Sequence, residues 1–289
     1  MNGCDENLGL KINNQEIQKK TKDLNLTEAS QWFNSQKRPL KGVFVVVHGL
    51  NLKPSKMNPI VSLLNKEGFK VLRVTLDGHK GSLEEQRNIT LQAWLETYHR
   101  NFCLAKKEAE LKGIPLYHLS FSLGALIGLA HLNYLEENYY QKMILLAPAA
   151  WTKAKVVVFN YLKFLPGKVG IPSMAHEKYR SQDTTSLNAY WAMSVAREIV
   201  SKLSPEKLNS NTLIFQDPKD EVISLIKLKS FITKKNLHKK WSIELLERNG
   251  ESEKDYHHHL IIDESSLGTE LWVKMQNSIQ EFLTAPILR

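Results

Sequence analysis

Short apolar runs alternate with longer amphipathic segments along most of the chain. The first strong run, Gly-Val-Phe-Val-Val-Val at 42–47, is apolar throughout, which is typical of a strand buried on both faces of a parallel sheet. The pattern predicts strands at 42–47, 70–76, 114–119, 142–147, 212–216 and 241–246, and helices at 57–66, 86–111, 123–136, 222–233 and 267–283. This repeated alternation indicates an α/β fold with a doubly wound, mostly parallel sheet that carries helices on both faces.

The alternation is interrupted between residues 151 and 203. This stretch is rich in aromatic and small apolar residues and has no clean strand pattern. We therefore expect a core formed by 39–150 and 204–289, with 151–203 as an insertion between two strands of the sheet. Residues 1–38 are polar and form an N-terminal extension, in which 27–34 is predicted to be a short helix.

The composition is that of a globular protein with a basic surplus. The 289 residues include 39 Lys and Arg against 30 Asp and Glu, and the basic residues are scattered without an arginine-rich block. The surplus predicts a solvated basic surface, and the alternative is peripheral contact with anionic lipid at a membrane. The chain has no nucleic-acid-binding motif, so nucleic acid is not an expected partner. The sequence does not indicate an oligomeric state.

The sequence also bears on location. It has no apolar run of about 18 residues, the length that a membrane-spanning helix needs. The polar N-terminal region lacks the apolar segment of a signal peptide, which favours a cytoplasmic protein. Two cysteines, Cys4 and Cys103, are too few for a disulfide framework and leave the redox compartment open. The alternative is a lipoprotein anchored through Cys4, which requires that an upstream leader has been removed.

A small-residue turn separates the predicted strand at 114–119 from the apolar helix that follows. It reads Ser120-Phe-Ser122-Leu-Gly124, a variant of the Gly-x-Ser-x-Gly motif that projects a serine hydroxyl from a strained strand-to-helix turn. The small residues at 120 and 124 allow strand and helix to pass closely. Ser122 is therefore the candidate nucleophile.

A serine nucleophile needs a base and a carboxylate that orients the base, and in this sheet type they follow in the order Ser, Asp, His. Asp217 stands at the end of the strand at 212–216, and Asp220 lies in the turn before the next helix. Asp220 alone would be read as a helix N-cap. With Ser122 upstream, we interpret Asp220 as the catalytic acid.

The base is expected in the run His257-His258-His259, after the strand at 241–246. A metal site is not expected there, because side chains of consecutive residues diverge and no carboxylate–histidine spacing supports one. His258 is our first choice for the base and His259 the second.

Stabilisation of an oxyanion requires two backbone amides. One is expected from Leu123, directly after Ser122, and the other from Leu50, in a loop where Gly49 permits close approach. His48 is expected to make structural hydrogen bonds rather than to transfer a proton.

Together these segments resemble the α/β-hydrolase family, in particular its monoacylglycerol lipase and small carboxylesterase branch, from about residue 40 to the C-terminus. The matching segments are His48-Gly49-Leu50, the shortened loop Asp77-Gly78-His79-Lys80-Gly81-Ser82, and the ordered residues Ser122, Asp220 and His258. In the family, the histidine commonly precedes an acidic residue by five positions, and the spacing of His258 to Asp263 therefore favours His258 over His259. The chain departs from the family pattern at Ser120 and Asp217, where glycine is usual.

The resemblance implies an α/β-hydrolase fold with a helical cap inserted between strands 6 and 7, and residues 151–203 match that location. It also implies a serine ester hydrolase that cleaves a lipid-derived ester, such as a monoacylglycerol or lysophospholipid, through an acyl-serine intermediate. Thioesterase or acyltransferase chemistry on the same triad, and ligand binding without catalysis, are the alternatives. No cofactor is implied. The acyl pocket is predicted to be lined by cap aromatics, although each could instead pack onto the core: Trp151, Phe159, Phe164, Tyr190 and Trp191.

Overall fold

A seven-stranded sheet forms the centre of the computed structural model, which describes residues 4, 26–80, 83–154, 165–173, 175–248 and 257–286. The strands are β1 Gln31–Phe33, β2 Gly42–Val47, β3 Phe69–Val74, β4 Leu116–Phe121, β5 Lys142–Leu146, β6 Gly170–Pro172, β7 Thr184–Ser186, β8 Asn211–Gln216 and β9 Trp241–Leu245. The helices are α1 Asn58–Lys66, α2 Leu83–Arg87, α3 Leu91–Lys112, α4 Leu123–His131, α5 Leu187–Lys202, α6 Leu225–Lys234, α7 Glu264–Leu267 and α8 Thr269–Thr284.

The sheet has the strand order β1-β3-β2-β4-β5-β8-β9. Only the edge strand β1 runs antiparallel to its neighbour, and the other pairs are parallel, with Val45 of β2 between Leu72 of β3 and His118 of β4. This confirms the predicted α/β fold class. Because parallel strands end at the same edge, the loops after β2, β4 and β8 meet there.

Burial explains why the central strands have continuous apolar runs. Strands β2, β4, β5 and β8 are buried at every position, as is the whole of α4. Alternating polar positions would place side chains without partners under the covering helices. The turns that follow these strands are therefore attached to the buried centre of the sheet.

Two predicted helices differ from the structure. The helix predicted over 86–111 is divided into α2 and α3, because the Thr90 hydroxyl accepts a hydrogen bond from the Ala93 amide and starts a new helix. The helix predicted over 27–34 is wrong. A 3₁₀ turn at Leu26–Glu28 leads instead into β1, which pairs with the edge of β3.

The inserted segment 151–203 lies between β5 and β8. Its described part contains the antiparallel strands β6 and β7, with Ile171 opposite Thr185, and then α5, which packs against α4. The sequence showed no clean strand here, because two three-residue strands are too short to give a periodic pattern. The assignment of this segment as a cap stays a prediction.

A disulfide joins Cys4 to Cys103 of α3. The cysteine count predicted no disulfide framework, and this single bond is a pairing that sequence spacing did not indicate. The lipid anchor considered as an alternative would use the same Cys4 sulfur, and the location of the protein stays a prediction. None of the described helices has both the length and the apolarity needed to cross a bilayer.

Candidate active site

Ser122 occupies the turn between β4 and α4 in a backbone conformation that residues other than glycine rarely adopt. Its φ is 50° and its ψ is −108°. The Ser122 amide donates to the Leu146 carbonyl at 2.9 Å, and the Ser122 carbonyl accepts from the Ala149 amide at 3.1 Å. These bonds to the end of β5 and the loop after it hold the strained turn, as expected where strain positions a reacting group.

The glycine after the turn is needed because the helix meets the neighbouring loop at very short range. A Cβ on Gly124 would lie 2.7 Å from the carbonyl oxygens of both Val47 and His48. The Gly124 amide donates to the His48 carbonyl at 3.0 Å. The start of α4 is thus fixed directly to the end of β2.

Ser120, which stands where the family has glycine, belongs to a buried hydrogen-bond chain. Its Oγ lies 2.7 Å from His118 Nε2, and His118 Nδ1 lies 3.0 Å from the Tyr98 hydroxyl. The chain continues to the Tyr140 hydroxyl, 2.7 Å from that of Tyr98. Burial lowers the pKa of His118 to about 3, so this ring is neutral. Ser120 therefore satisfies a polar atom that a glycine would leave unpaired.

The structure brings Ser122 and Asp220 together with His259. His259 Nε2 lies 2.8 Å from Ser122 Oγ, and His259 Nδ1 lies 2.9 Å from Asp220 Oδ2. An ionised carboxylate only accepts hydrogen bonds, so the proton of the neutral imidazole is on Nδ1. The lone pair on Nε2 is then available to accept the hydrogen bond of the serine hydroxyl.

The prediction that His258 would approach Ser122 is wrong. His258 Nδ1 lies 2.9 Å from Asp217 Oδ2, so the two adjacent histidines diverge to two different aspartates. Asp263, whose spacing favoured His258, has a structural role, because its side chain caps the short helix α7. His259 was the second choice from the sequence, and its position four residues before Asp263 gave no reason to prefer it.

Asp220 is positioned by the turn after β8. Its Oδ1 accepts from the amides of Val222 and Ile223 at 2.7 and 2.8 Å, while Oδ2 faces His259. The helix N-cap reading is excluded, because Ser224 caps α6. Burial raises the pKa of Asp220, but the charge and hydrogen bond of His259 and the two amides outweigh it, so the pKa is lowered. The carboxylate is therefore ionised at neutral pH.

Glu221 adds a second negative charge beside the base. Its carboxylate accepts from the His259 backbone amide at 3.1 Å. Burial lowers the pKa of His259, but the charge and hydrogen bond of Asp220, together with the charge of Glu221, outweigh burial, so the pKa is raised. The site thus strengthens His259 as a proton acceptor.

Leu50 and Leu123, whose amides are expected to form an oxyanion hole, both lie close to Ser122. A Cβ on Gly49 would lie 2.6 Å from the Phe121 ring and 3.3 Å from Ser122 Cβ, so the loop after β2 passes directly over the turn. Leu50 lines the same cavity as Ser122, and Leu123 begins α4, where amides are free of intrahelical acceptors. This placement suits the expectation for Leu50 and Leu123.

Two buried histidines hold that loop, and sequence reasoning identified only one of them. His48 Nε2 accepts from the Leu76 amide at 3.1 Å, and His79 Nε2 accepts from the Asn51 amide at 3.0 Å. Burial lowers the pKa of His79 to about 4, which keeps its acceptor nitrogen unprotonated. The segment at 77–82 includes His79, but the sequence indicated only its resemblance to a family motif. The hydrogen bond between His79 and the neighbouring loop was not expected.

A cavity of about 540 Å³ opens beside Ser122 and His259. Its wall is mostly apolar, with polar groups on part of the surface: Leu50, Asn51, Leu52, Phe121, Ser173, Ala175, His176, Tyr179, Thr185, Tyr190, Met193, Glu221, Val222, His257 and Leu260. A concave apolar site with a few convergent polar groups is typical of small-molecule binding.

The predicted aromatic lining fits this cavity only in part. Tyr190 lines it. Trp151 is buried against two core aromatics, and Trp191 is not among the lining residues, so both predictions are wrong. Phe159 and Phe164 lie outside the described residues. Aromatic content alone does not tell which way a side chain faces.

Comparisons with known proteins identify the family and the fold. A family model described as serine aminopeptidase, S33, matches residues 38–248, whereas no curated protein sequence matches the chain. A soluble variant of monoglyceride lipase from Saccharomyces cerevisiae aligns with a TM-score of 0.69 at 14% identity, over 88% of this chain and 90% of that chain.

Two further solved structures have similar coverage. The monoacylglycerol lipase of Paleococcus ferrophilus aligns with a TM-score of 0.67 at 16% identity, over 88% of this chain and 97% of its own. Est1E from Butyrivibrio proteoclasticus aligns with a TM-score of 0.56 at 17% identity, over 88% of this chain and 92% of its own. These similarities show that the chain has the α/β-hydrolase fold.

Proposed function

Because the chain belongs to the serine aminopeptidase S33 family of hydrolases, we propose that it is a serine hydrolase that cleaves carboxylic esters. The observation that carries this proposal is the continuous hydrogen-bond chain from Ser122 Oγ through His259 to Asp220, with distances of 2.8 and 2.9 Å. Such a chain supplies a nucleophile, a base and the group that orients the base.

The reaction proceeds in two halves. Ser122 Oγ attacks the acyl carbonyl as its proton passes to His259 Nε2, and Asp220 stabilises the resulting imidazolium. The Leu50 and Leu123 amides bind the oxyanion. His259 then gives the proton to the leaving alcohol, which departs and leaves an acyl-serine. Water, deprotonated by His259, releases the acid and restores the serine.

The cavity favours a lipid-derived ester. Leu52, Phe121 and Met193 supply apolar wall for an acyl chain, and Asn51 and Glu221 supply polar groups for an alcohol. The volume of about 540 Å³ is in the range of small-molecule pockets. We therefore propose a monoacylglycerol or a lysophospholipid-like ester as the substrate.

Glu221 also supports a second candidate function, which is cleavage of an amino-acyl amide. The description of the matched family model names a serine aminopeptidase. The Glu221 carboxylate lines the cavity, and 30% of its side chain is exposed. A substrate ammonium group could pair with that carboxylate. Ester and amide substrates must therefore be compared directly.

The test uses p-nitrophenyl esters from acetate to palmitate, an acyl thioester and amino-acyl p-nitroanilides, with wild type and Ser122→Ala side by side. We expect turnover of esters that Ser122→Ala loses, with the best chain length reporting the pocket depth. A fluorophosphonate probe should label wild type and not the variant. Preference for the anilides would favour the aminopeptidase, and preference for the thioester a thioesterase. Absence of both turnover and labelling would leave a ligand-binding protein.

A further inference from the structure

A second cluster of reactive side chains lies outside the active site, on helix α3. Cys103 of this helix is bonded to Cys4, and His99 precedes Cys103 by one helical turn. His99 Nε2 lies 3.6 Å from Cys103 Sγ, and the two sulfurs and this ring place ligand atoms within 4.8 Å of one another. None of these three residues takes part in the proposed hydrolysis.

The distance between His99 Nε2 and Cys103 Sγ matches that between two ligands of one zinc ion. Zn–S bonds of about 2.3 Å and Zn–N bonds of about 2.0 Å at a tetrahedral angle put sulfur and nitrogen about 3.5 Å apart. His99 and Cys103 stand at that separation already. Their spacing of four residues places both side chains on one face of α3, as in helical zinc motifs.

A further histidine supports His99 from the opposite side. His99 Nδ1 lies 2.9 Å from Nε2 of His131, the last residue of α4. The His131 ring is held in the core between Tyr98 and Phe102, at centroid distances of 4.9 and 5.0 Å. A metal on His99 Nε2 requires the ring proton on Nδ1, and His131 Nε2 is placed to accept it. Zinc-ligating histidines are commonly oriented by such a partner.

We propose that Cys4, His99 and Cys103 form a redox-controlled site for Zn²⁺. A dithiol reductant gives two electrons and two protons to the disulfide, which yields the thiols of Cys4 and Cys103 while the dithiol closes to its own disulfide. Zn²⁺ then displaces both thiol protons and binds two thiolates and His99 Nε2, with water as the fourth ligand.

This assignment explains why a histidine accompanies the two cysteines, which a purely structural disulfide does not need. It also gives the pair a role in either redox compartment. The disulfide persists where conditions are oxidising, and the zinc site forms where thiols are kept reduced. In both states position 4 stays attached to α3.

The experiment titrates Zn²⁺ into full-length, tag-free protein against a chromophoric chelator, after reduction by a phosphine and, separately, in the disulfide form. We expect one tightly bound Zn²⁺ in the reduced protein and none at that affinity in the oxidised protein. Cys4→Ser and Cys103→Ser should each weaken binding at least about 100-fold. Ser122→Ala, a matched control outside the cluster, should bind like wild type.

Two further variants test the histidines. His99→Ala should weaken zinc binding strongly while the disulfide still forms, and His131→Leu, which removes the acceptor for the His99 Nδ1 proton, should weaken it about 10- to 100-fold. Fluorophosphonate labelling and circular dichroism identify any variant that fails to fold. Reduced wild type that binds Zn²⁺ no more tightly than Cys103→Ser would overturn the proposal, as would equal binding by the oxidised protein.

Discussion

The adjacent residues His258 and His259 test the proposed chemistry most sharply, because the structure gives each a different aspartate. His259→Ala removes the group that bonds to Ser122 and Asp220. His258→Ala removes only the partner of Asp217. We therefore expect the first substitution to remove most of the turnover, and the second to lower stability with little effect on turnover.

The magnitudes follow from what each side chain does. A positioned general base contributes about 10²- to 10⁴-fold, so His259→Ala should lower kcat/KM by at least about 100-fold. The Asp217 side chain is fully buried, and without His258 one of its oxygens loses its closest partner. Leaving a buried acceptor short of a partner costs about 1–3 kcal/mol in the free energy of unfolding. His258→Asn keeps a donor near the position of Nδ1 and should recover part of that loss.

The assay measures kcat/KM on the best ester, fluorophosphonate labelling, and urea unfolding for wild type, His258→Ala, His258→Asn and His259→Ala. Unfolding separates loss of the base from loss of the fold. The reasoning is refuted if folded His258→Ala loses as much turnover as His259→Ala. It is equally refuted if His259→Ala retains wild-type turnover.

Three further predictions concern groups around the serine. Ser120→Gly restores the family residue but strands His118 Nε2, so the free energy of unfolding should fall by about 1–3 kcal/mol in a urea titration; an unchanged value would contradict the role given to Ser120. Gly49→Ala forces a Cβ against the Phe121 ring, which displaces the Leu50 amide, and kcat should fall by about 10²-fold or more in a protein that still melts cooperatively. Glu221→Gln removes a charge that raises the pKa of His259. Because the neutral base is active, the acid limb of kcat/KM should then move to lower pH, and an unmoved midpoint would count against this.

The central sheet could be predicted from the sequence because the apolar runs of its strands are compatible with only one kind of element. A six-residue run without a polar position, such as Gly42–Val47, fits only an element buried on both sides. Strand β1 shows the limit of this approach. Its three residues are too few to establish a period, and it is a strand because β3 offers an unpaired edge. Pairing with β3 determines that this segment is a strand, and the local sequence pattern does not reveal that pairing.

The same contrast applies to the site. Ser122 and Asp220 could be placed because each lies in the turn after a predicted strand, in the chain order that this sheet type requires. The histidine lies in a loop, where position along the chain does not determine direction. The cysteine pair was missed because its partners are 99 residues apart and one of them precedes the first element that the structure describes.

The two histidine–aspartate pairs together explain how a loop can hold a base accurately. Successive side chains in the loop diverge, so a shift of one residue would separate both histidines from their partners at once. Asp217 is also 3.7 Å from Arg248 Nε, and the Arg248 guanidinium donates to the carbonyls of His257 and Leu260, on either side of the pair. Buried charges are costly and add little net stability, but they penalise every arrangement that leaves one unpaired. The buried Asp217 carboxylate thus fixes the register of the loop, and that register places His259 beside Ser122 and Asp220.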